Sequence, residues 1–437
     1  MNKYYQNKKE IGEDYFYEKV QTVQDNGILR AGPNQNSNEN NKSFYDKFVE
    51  NASKSKVFSN MFVRNDHEEE KLEYNIINVN YFRKGIKSKV QVLRSSCDWS
   101  VGIKKKENSI LQAYIELIRE SKHYIYIENQ FFVSKAFDDD DKKNCKKKSR
   151  LSDLIQNTIA YEIRKRIIKA YEEGKKFRVM VFIPLLPGFA GEPEESGTLQ
   201  IILKYTYAAI YRNYGTSIIE KLKEKMGEEW KNYIGFYSLR GHGLVNGVPT
   251  TEIIYIHSKL MIVDDKKVII GSANINDRSM LGERDSEFCV LIHEKEKRNF
   301  IIDGKRTGAA NFAHSFRTNL MAEHIGLDAK DELLFDPLND ELWKVLNDTA
   351  KNNTEIYHKL FYCYPDDNMK TFKEVLKMKR TDKLGEKELK ELKELYQNEK
   401  NNIKGHVVYF PLHFLEEEVL GIPFFSKENV VPEKSYI

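Results

Sequence analysis

The chain has 437 residues, 40% of them apolar and 31% charged, enough apolar material for a sizeable core and far too little for a set of membrane spans. Lys and Arg total 70 against 66 Asp and Glu, a net charge of +4, which speaks against a histone-like nucleic-acid binder and leaves any attraction to anions to local patches. Four separated cysteines, Cys97, Cys145, Cys289 and Cys363, form no C-x-x-C pair, so neither a zinc site nor a disulfide framework is indicated.

The polar start and the absence of a long uninterrupted apolar run predict a cytosolic protein that meets membranes only from their surface. Residues 1–88 are rich in Asn, Lys, Glu and Tyr, with a polar run from Pro33 to Lys42, and read as a linker or disordered region. From residue 89 to 330 apolar clusters alternate with turn signals, the texture of the main folded unit, and residues 331–437 read as an extension packing on it.

Inside that unit, in chain order, the predicted elements are a strand at Val90–Arg94, a helix from about Ser109 to Ser121 and a strand at Tyr124–Glu128. A low-complexity insert between Asp138 and Arg150, with the runs Asp138–Asp141 and Lys146–Lys148, follows and reads as a solvated surface loop. Next come a helix from about Leu154 to Glu173, a strand at Arg178–Ile183, a helix at about Thr198–Tyr214 and a strand at Ile234–Leu239. Two strands, Glu252–Val263 and Lys267–Gly271, are joined by the turn Asp264-Asp265-Lys266, and Glu386–Lys400 reads as an amphipathic helix. Alternating strands and helices predict an α/β fold, an α/β/α sandwich on a mixed, largely parallel sheet. Core packing is the expectation for Trp99, Trp230 and Trp343, and a structural ion pair for Arg284 with Asp285.

The segment that carries chemistry is His257-Ser258-Lys259-Leu260-Met261-Ile262-Val263-Asp264 with Gly271-Ser272-Ala273-Asn274. Residues two apart in a strand face one side, so His257 and Lys259 are expected to project together, with Ser272 and Asn274 beside them at the end of the neighbouring strand. That set suits a phosphodiester: Lys neutralises non-bridging oxygens, hydroxyl and amide donate to them, and His attacks phosphorus or moves a proton. The joint pattern H-x-K-x4-D-x6-G-S-x-N is expected by composition only on the order of a few times in a hundred thousand such chains.

This pattern resembles the HKD signature of the phospholipase D superfamily. His257 to Asp265, Gly271 to Gly282 and Arg284-Asp285-Ser286-Glu287 look like the second HKD block of the eukaryotic members, and Tyr124 to Phe132 like the block between their two HKD motifs. Val92-Leu93-Arg94-Ser95, Asp98-Trp99-Ser100, Ile183 to Phe189 and Tyr237 to Arg240 match in the same order. The resemblance implies hydrolysis of phosphatidylcholine to phosphatidic acid and free head group through a phosphohistidine, with transphosphatidylation to primary alcohols. It implies His257, Lys259, Asp264 and Glu287 as the catalytic set. Glu287 would orient His257, and Asp264 more plausibly braces the turn. Ser272, Asn274, Asn129 and Gln130 are the implied lining residues. No metal or cofactor is implied, and the implied partner is a phospholipid surface, with phosphoinositide activation and no nucleic acid, for a peripheral membrane protein in the cytoplasm.

The family's eukaryotic members carry two HKD motifs that meet across an internal two-fold, whereas this sequence carries one; the other H-x-K, His293-Glu294-Lys295, lacks the Asp and Gly-Ser that should follow. The chain therefore reads as a C-terminal catalytic half. Its second half would come from an N-terminal segment, a separate chain or a second copy. The alternatives are a catalytically silent module that binds membrane lipid, in which Lys104, Lys105, Lys106 and the Lys146–Lys148 cluster would serve, and a homodimeric HKD phosphodiesterase or nuclease.

Overall fold

The computed structural model describes residues 86, 88–143, 154–294, 297–378, 384–421 and 435–437. The expected polar region, up to residue 85, and Lys146–Lys148 lie outside the described residues. Strand β1 (Ser88–Ser96) pairs antiparallel with the short β2 (Glu107–Asn108). Helix α1 (Ser109–Glu120) follows, burying Ile110, Leu111, Tyr114, Leu117 and Ile118 along one stripe. Then come β3 (Tyr124–Asn129), α2 (Ile159–Glu172), β4 (Arg178–Phe182) and α3 (Gly197–Ile210). Helix α4 (Ile218–Met226) starts on a reciprocal cap, Ser217 with Glu220.

Strand β5 (Ile234–Val245) turns directly into β6 (Val248–Ile253). After them run β7 (Lys259–Val263), β8 (Lys267–Gly271), the one-turn α5 (Asp277–Met280) and β9 (Glu287–Glu294). β10 (Lys297–Ile302) and β11 (Lys305–Ala310) form a separate ribbon. Helices α6 (Asn311–Ile325), α7 (Asp340–Phe361) and α8 (Glu386–Glu399) precede β12 (Val407–Tyr409). Lys84–Ile437 makes one unit.

The main sheet has ten strands, in the order β12-β5-β4-β3-β7-β8-β9-β1-β2 with β6 on β5. Strand alternation divides its two faces. Ile125, Ile127, Val179, Val181, Met261 and Val263 enter one apolar cluster with α1, α2, α3 and α4; Tyr124, Tyr126, Met180, Phe182, Leu260 and Ile262 enter another with α6 and α7. This is the expected layered α/β arrangement on a mixed sheet. Its parallel share is smaller than expected, since among the described strands of this sheet parallel pairing is confined to β3–β4 and β4–β5 and the other strand pairs are antiparallel.

The strand expected over Glu252–Val263 is two strands. β6 pairs with β5 and β7 pairs with β3, with β4 between those partners, so one straight strand cannot serve both. Residues Ile254 to Ser258 leave the sheet and cross the end of β4. The helix expected from Leu154 begins at Ile159, and the one expected to Tyr214 ends at Ile210. Trp230 and Trp343 are buried, but Trp99 is 80% exposed because its short helix, Asp98–Val101, has no buried residue.

Candidate active site

His257 lies on the crossing segment and Lys259 is the first residue of β7, so the two are not neighbours on one strand face as the spacing suggests. They meet differently: the Lys259 Nζ donates to the His257 carbonyl at 2.6 Å and to Gln130 Oε1 at 2.9 Å. Two of the three ammonium N–H groups are thereby used, and the third has no protein partner among the described residues. Lys259 is only 7% exposed. Burial pushes its ammonium below the ordinary lysine value, and the negative charge of Glu287 opposes that push.

The His257 imidazole is exposed and makes no hydrogen bond among the described residues. Partial desolvation and, after it, the Lys259 charge lower its pKa below the ordinary histidine value, so the ring is neutral at pH 7. A neutral ring nitrogen with a free lone pair next to a held cation can approach an electrophilic phosphorus whose oxygens the cation attracts.

Ser272 follows β8 and is joined to β9 from both sides. Its Oγ donates to Glu287 and accepts the Phe288 backbone N–H at 3.0 Å. The other oxygen of Glu287 accepts from Ser279 Oγ at 2.5 Å. Glu287 is thus held by two serines, and no hydrogen bond links it to His257. Asn274 is half-buried with its Oδ1 lacking a hydrogen-bond partner, beside Ala273 and Ile275, which are fully buried.

Asn129 and Gln130, adjacent in sequence, do different things. Asn129 is completely buried, and its Oδ1 accepts the backbone N–H groups of Phe131 and Ile275, tying the end of β3 to the loop after Ser272. Gln130 reaches Lys259 with its oxygen and donates to Tyr255 OH at 3.0 Å, while Tyr255 OH also accepts the Gly188 N–H at 2.9 Å. A Cβ on Gly188 would stand 2.7 Å from the Tyr255 ring, so any larger residue there would push the Tyr255 ring aside.

Asp264 does not join them. It sits at the opposite end of β7, five residues or about 16 Å along the strand from Lys259. Its carboxylate accepts the backbone N–H groups of Lys122, His123 and Tyr124 at 2.7, 2.8 and 3.0 Å. Asp285 pairs with Arg278 at 2.9 Å, whereas Arg284, its expected partner, is exposed.

The sequence reading passed over a second set of residues beneath the site. Ser258, between His257 and Lys259, donates to Glu128 Oε2 at 2.8 Å. Glu128 Oε1 accepts from Tyr126 OH at 2.5 Å and lies 2.9 Å from His324 Nε2 on α6. Burial raises the pKa of Glu128, but the His324, Tyr126 and Ser258 contacts outweigh it and leave the carboxyl below its ordinary value. The alternation of Tyr126 and Glu128 on one face, opposite Asn129, is the signal that could have found it.

The family model described as Phospholipase D matches residues 37–252 and 244–366. The chain belongs to the phospholipase D family. It is 42% identical over 348 residues to phospholipase D2 of Bos taurus, covering 78% of this chain and 35% of that protein. Against phospholipase D1 of Mus musculus the identity is 43% over 351 residues, 79% of this chain and 31% of the relative. The chain therefore spans about a third of the length of these curated relatives. Among solved structures, Nuc, a phospholipase D family member from Salmonella typhimurium, matches 53% of this chain and 90% of its own at 16% identity and a TM-score of 0.24, an overlap too loose to add to the fold. Among the described residues of this phospholipase D family member, no helix is long and apolar enough to cross a membrane.

Proposed function

We propose that the chain is the half of a phospholipase D site that carries the second HKD motif, cleaving the distal phosphodiester of phosphatidylcholine to phosphatidic acid and free head group. The observation that carries this reading is the exposed His257 imidazole, without a hydrogen bond among the described residues, beside a buried Lys259 ammonium with one N–H to spare. In the proposed reaction a His257 ring nitrogen attacks phosphorus, the P–O bond to the head group breaks, and the departing alkoxide takes a proton from an acid on the other half. Water or a primary alcohol then attacks the phosphohistidine, giving its proton to that same group and releasing His257. Lys259 balances the charge that develops on the non-bridging oxygens, with Gln130 fixing its direction. Ser272 and Asn274 line the phosphoryl position, and Glu287 acts on the site through Ser272.

The surface next to the site supports a missing partner half. Val90 and Val92 on β1 share a face with the cross-strand Phe288 on β9, and all three are exposed, as are Trp99 and Val101 beyond β1. Phe288 directly follows Glu287, so polypeptide covering this face would pack against the strand that carries Glu287. The proposed partners are accordingly a second HKD half and a phospholipid membrane surface.

A covalent intermediate is the direct test. Phosphatidylcholine labelled at phosphorus, given to this chain mixed with a complementary HKD half, should leave acid-labile label on the protein. The label should disappear from this chain in His257→Ala; label that stays there in the variant would refute the assignment of the nucleophile.

A further inference from the structure

The β5–β6 hairpin combines an uncharged run with an exposed apolar tip. From Gly241 to Thr251 it contains no Asp, Glu, Lys or Arg in eleven residues, in a protein where 31% of residues are charged. Its two-residue turn, Asn246-Gly247, has both φ angles positive, 51° and 72°, the geometry that suits the twist of a tight hairpin. The two residues before that turn are Leu244 and Val245, 53% and 58% exposed.

The hairpin stands at the site end of the sheet. Pairing of β5 with β4 stops at Tyr237 and with β12 at Leu239, so from Gly241 onward β6 is its strand partner. Lys259 pairs with Asn129, Glu128 with Phe182 and Phe182 with Tyr237, which puts His257 near the level of Arg240. Gly241–Val245 therefore extends roughly 16 Å beyond that level, displaced sideways by three strand spacings, about 14 Å. Its base is anchored: His242 Nδ1 lies 3.0 Å from Tyr396 OH of α8, and Ile253 packs on the cluster of Tyr357 and Tyr396. Phe189, next to the Gly188 that Tyr255 holds, is a further exposed apolar group at this end.

We propose that this hairpin tip inserts Leu244 and Val245 into the surface of a phospholipid bilayer and thereby holds the site end of the sheet toward the lipid phosphates. The proposal rests on the phospholipase D reading above and names the surface that presents its substrate. Two apolar side chains offer a small fraction of the area of roughly 800 Å² per partner that a stable protein interface needs, so a protein is a poor occupant. They match a bilayer interface, where apolar insertion needs no partner of fixed shape. An uncharged tip also selects the lipid chemistry, favouring neutral zwitterionic lipid without requiring an anionic one.

The test is partitioning of the full 437-residue chain into neutral phosphatidylcholine vesicles, read by sedimentation and by backbone amide exchange over Gly241–Thr251. The parent should bind, the hairpin amides should gain protection, and added salt should not release it. Leu244→Asp with Val245→Asp should weaken partitioning roughly tenfold or more, with an unchanged unfolding transition. Leu244→Met with Val245→Ile should restore it. Equal binding by the Asp pair, or no binding of the parent to neutral vesicles, would each overturn the proposal. With a complementary HKD half added, tip-dependent binding without His257-dependent turnover would sink the enzymatic reading and leave the tip in place. Turnover with tip-independent binding would do the reverse.

Discussion

The Lys259 charge acts on His257. The ammonium is one of two causes that hold the imidazole below its ordinary pKa, so removing it shifts the balance toward the protonated ring. Lys259→Gln should raise the His257 pKa in an NMR titration; a value unchanged or lower would mean desolvation acts alone. The acid limb of any His257-dependent rate should likewise have its midpoint below the usual value of about 6.5, because the reactive form is the neutral ring. Asp264 is the contrasting case: three backbone N–H groups converge on it far from the site. Asp264→Ala should cost about 3 kcal/mol in urea unfolding, whereas His257→Ala, at an exposed position, should stay within about 0.5 kcal/mol of the parent. A destabilised His257→Ala with a neutral Asp264→Ala would reverse that division. His257 and Lys259 were legible because their side-chain types and spacing are rare together. Glu128 with His324 was not, because its partners stand 196 residues apart and only the folded sheet brings them within 2.9 Å.

Between elements, β8 and β9 determine where Ser272 and Glu287 meet. Gly271 lies opposite Cys289, and a Cβ there would come within 2.3 Å of the Phe288 carbonyl oxygen and 2.5 Å of the Cys289 Cα. These are backbone atoms and cannot swing aside. Gly271→Ala should therefore cost about 2 kcal/mol and speed exchange of the Phe288 amide, which donates to Ser272 Oγ; normal stability with an unchanged amide would show that the strands absorb the methyl. Runs of β-branched and aromatic residues made β3, β4 and the start of β5 readable, since these strands are buried on both faces. β9 escaped because half of its residues face no helix, and the break between β6 and β7 escaped because it is dictated by which strands they pair with and has no local signature. That break is what lifts His257 off the sheet.

At the scale of the whole molecule, one end of the ten-stranded sheet gathers the crossing segment, the β8–β9 junction and the uncharged hairpin. The layered α/β class followed from alternating elements. The true share of parallel pairing did not, because it depends on strand order, and the edge position of the three-residue β12 comes from tertiary pairing with β5. The exposed apolar face of β1 and β9, together with the single HKD motif of this sequence, supports the proposal of a half-site completed by further polypeptide. The most direct measurement is phosphatidyl-alcohol formation from phosphatidylcholine vesicles and a primary alcohol. It compares this chain alone, this chain with a complementary HKD half, and the same mixture with His257→Ala. The half-site account predicts product only in the mixture containing His257. Product from the folded chain alone, or product undiminished by His257→Ala, would contradict it.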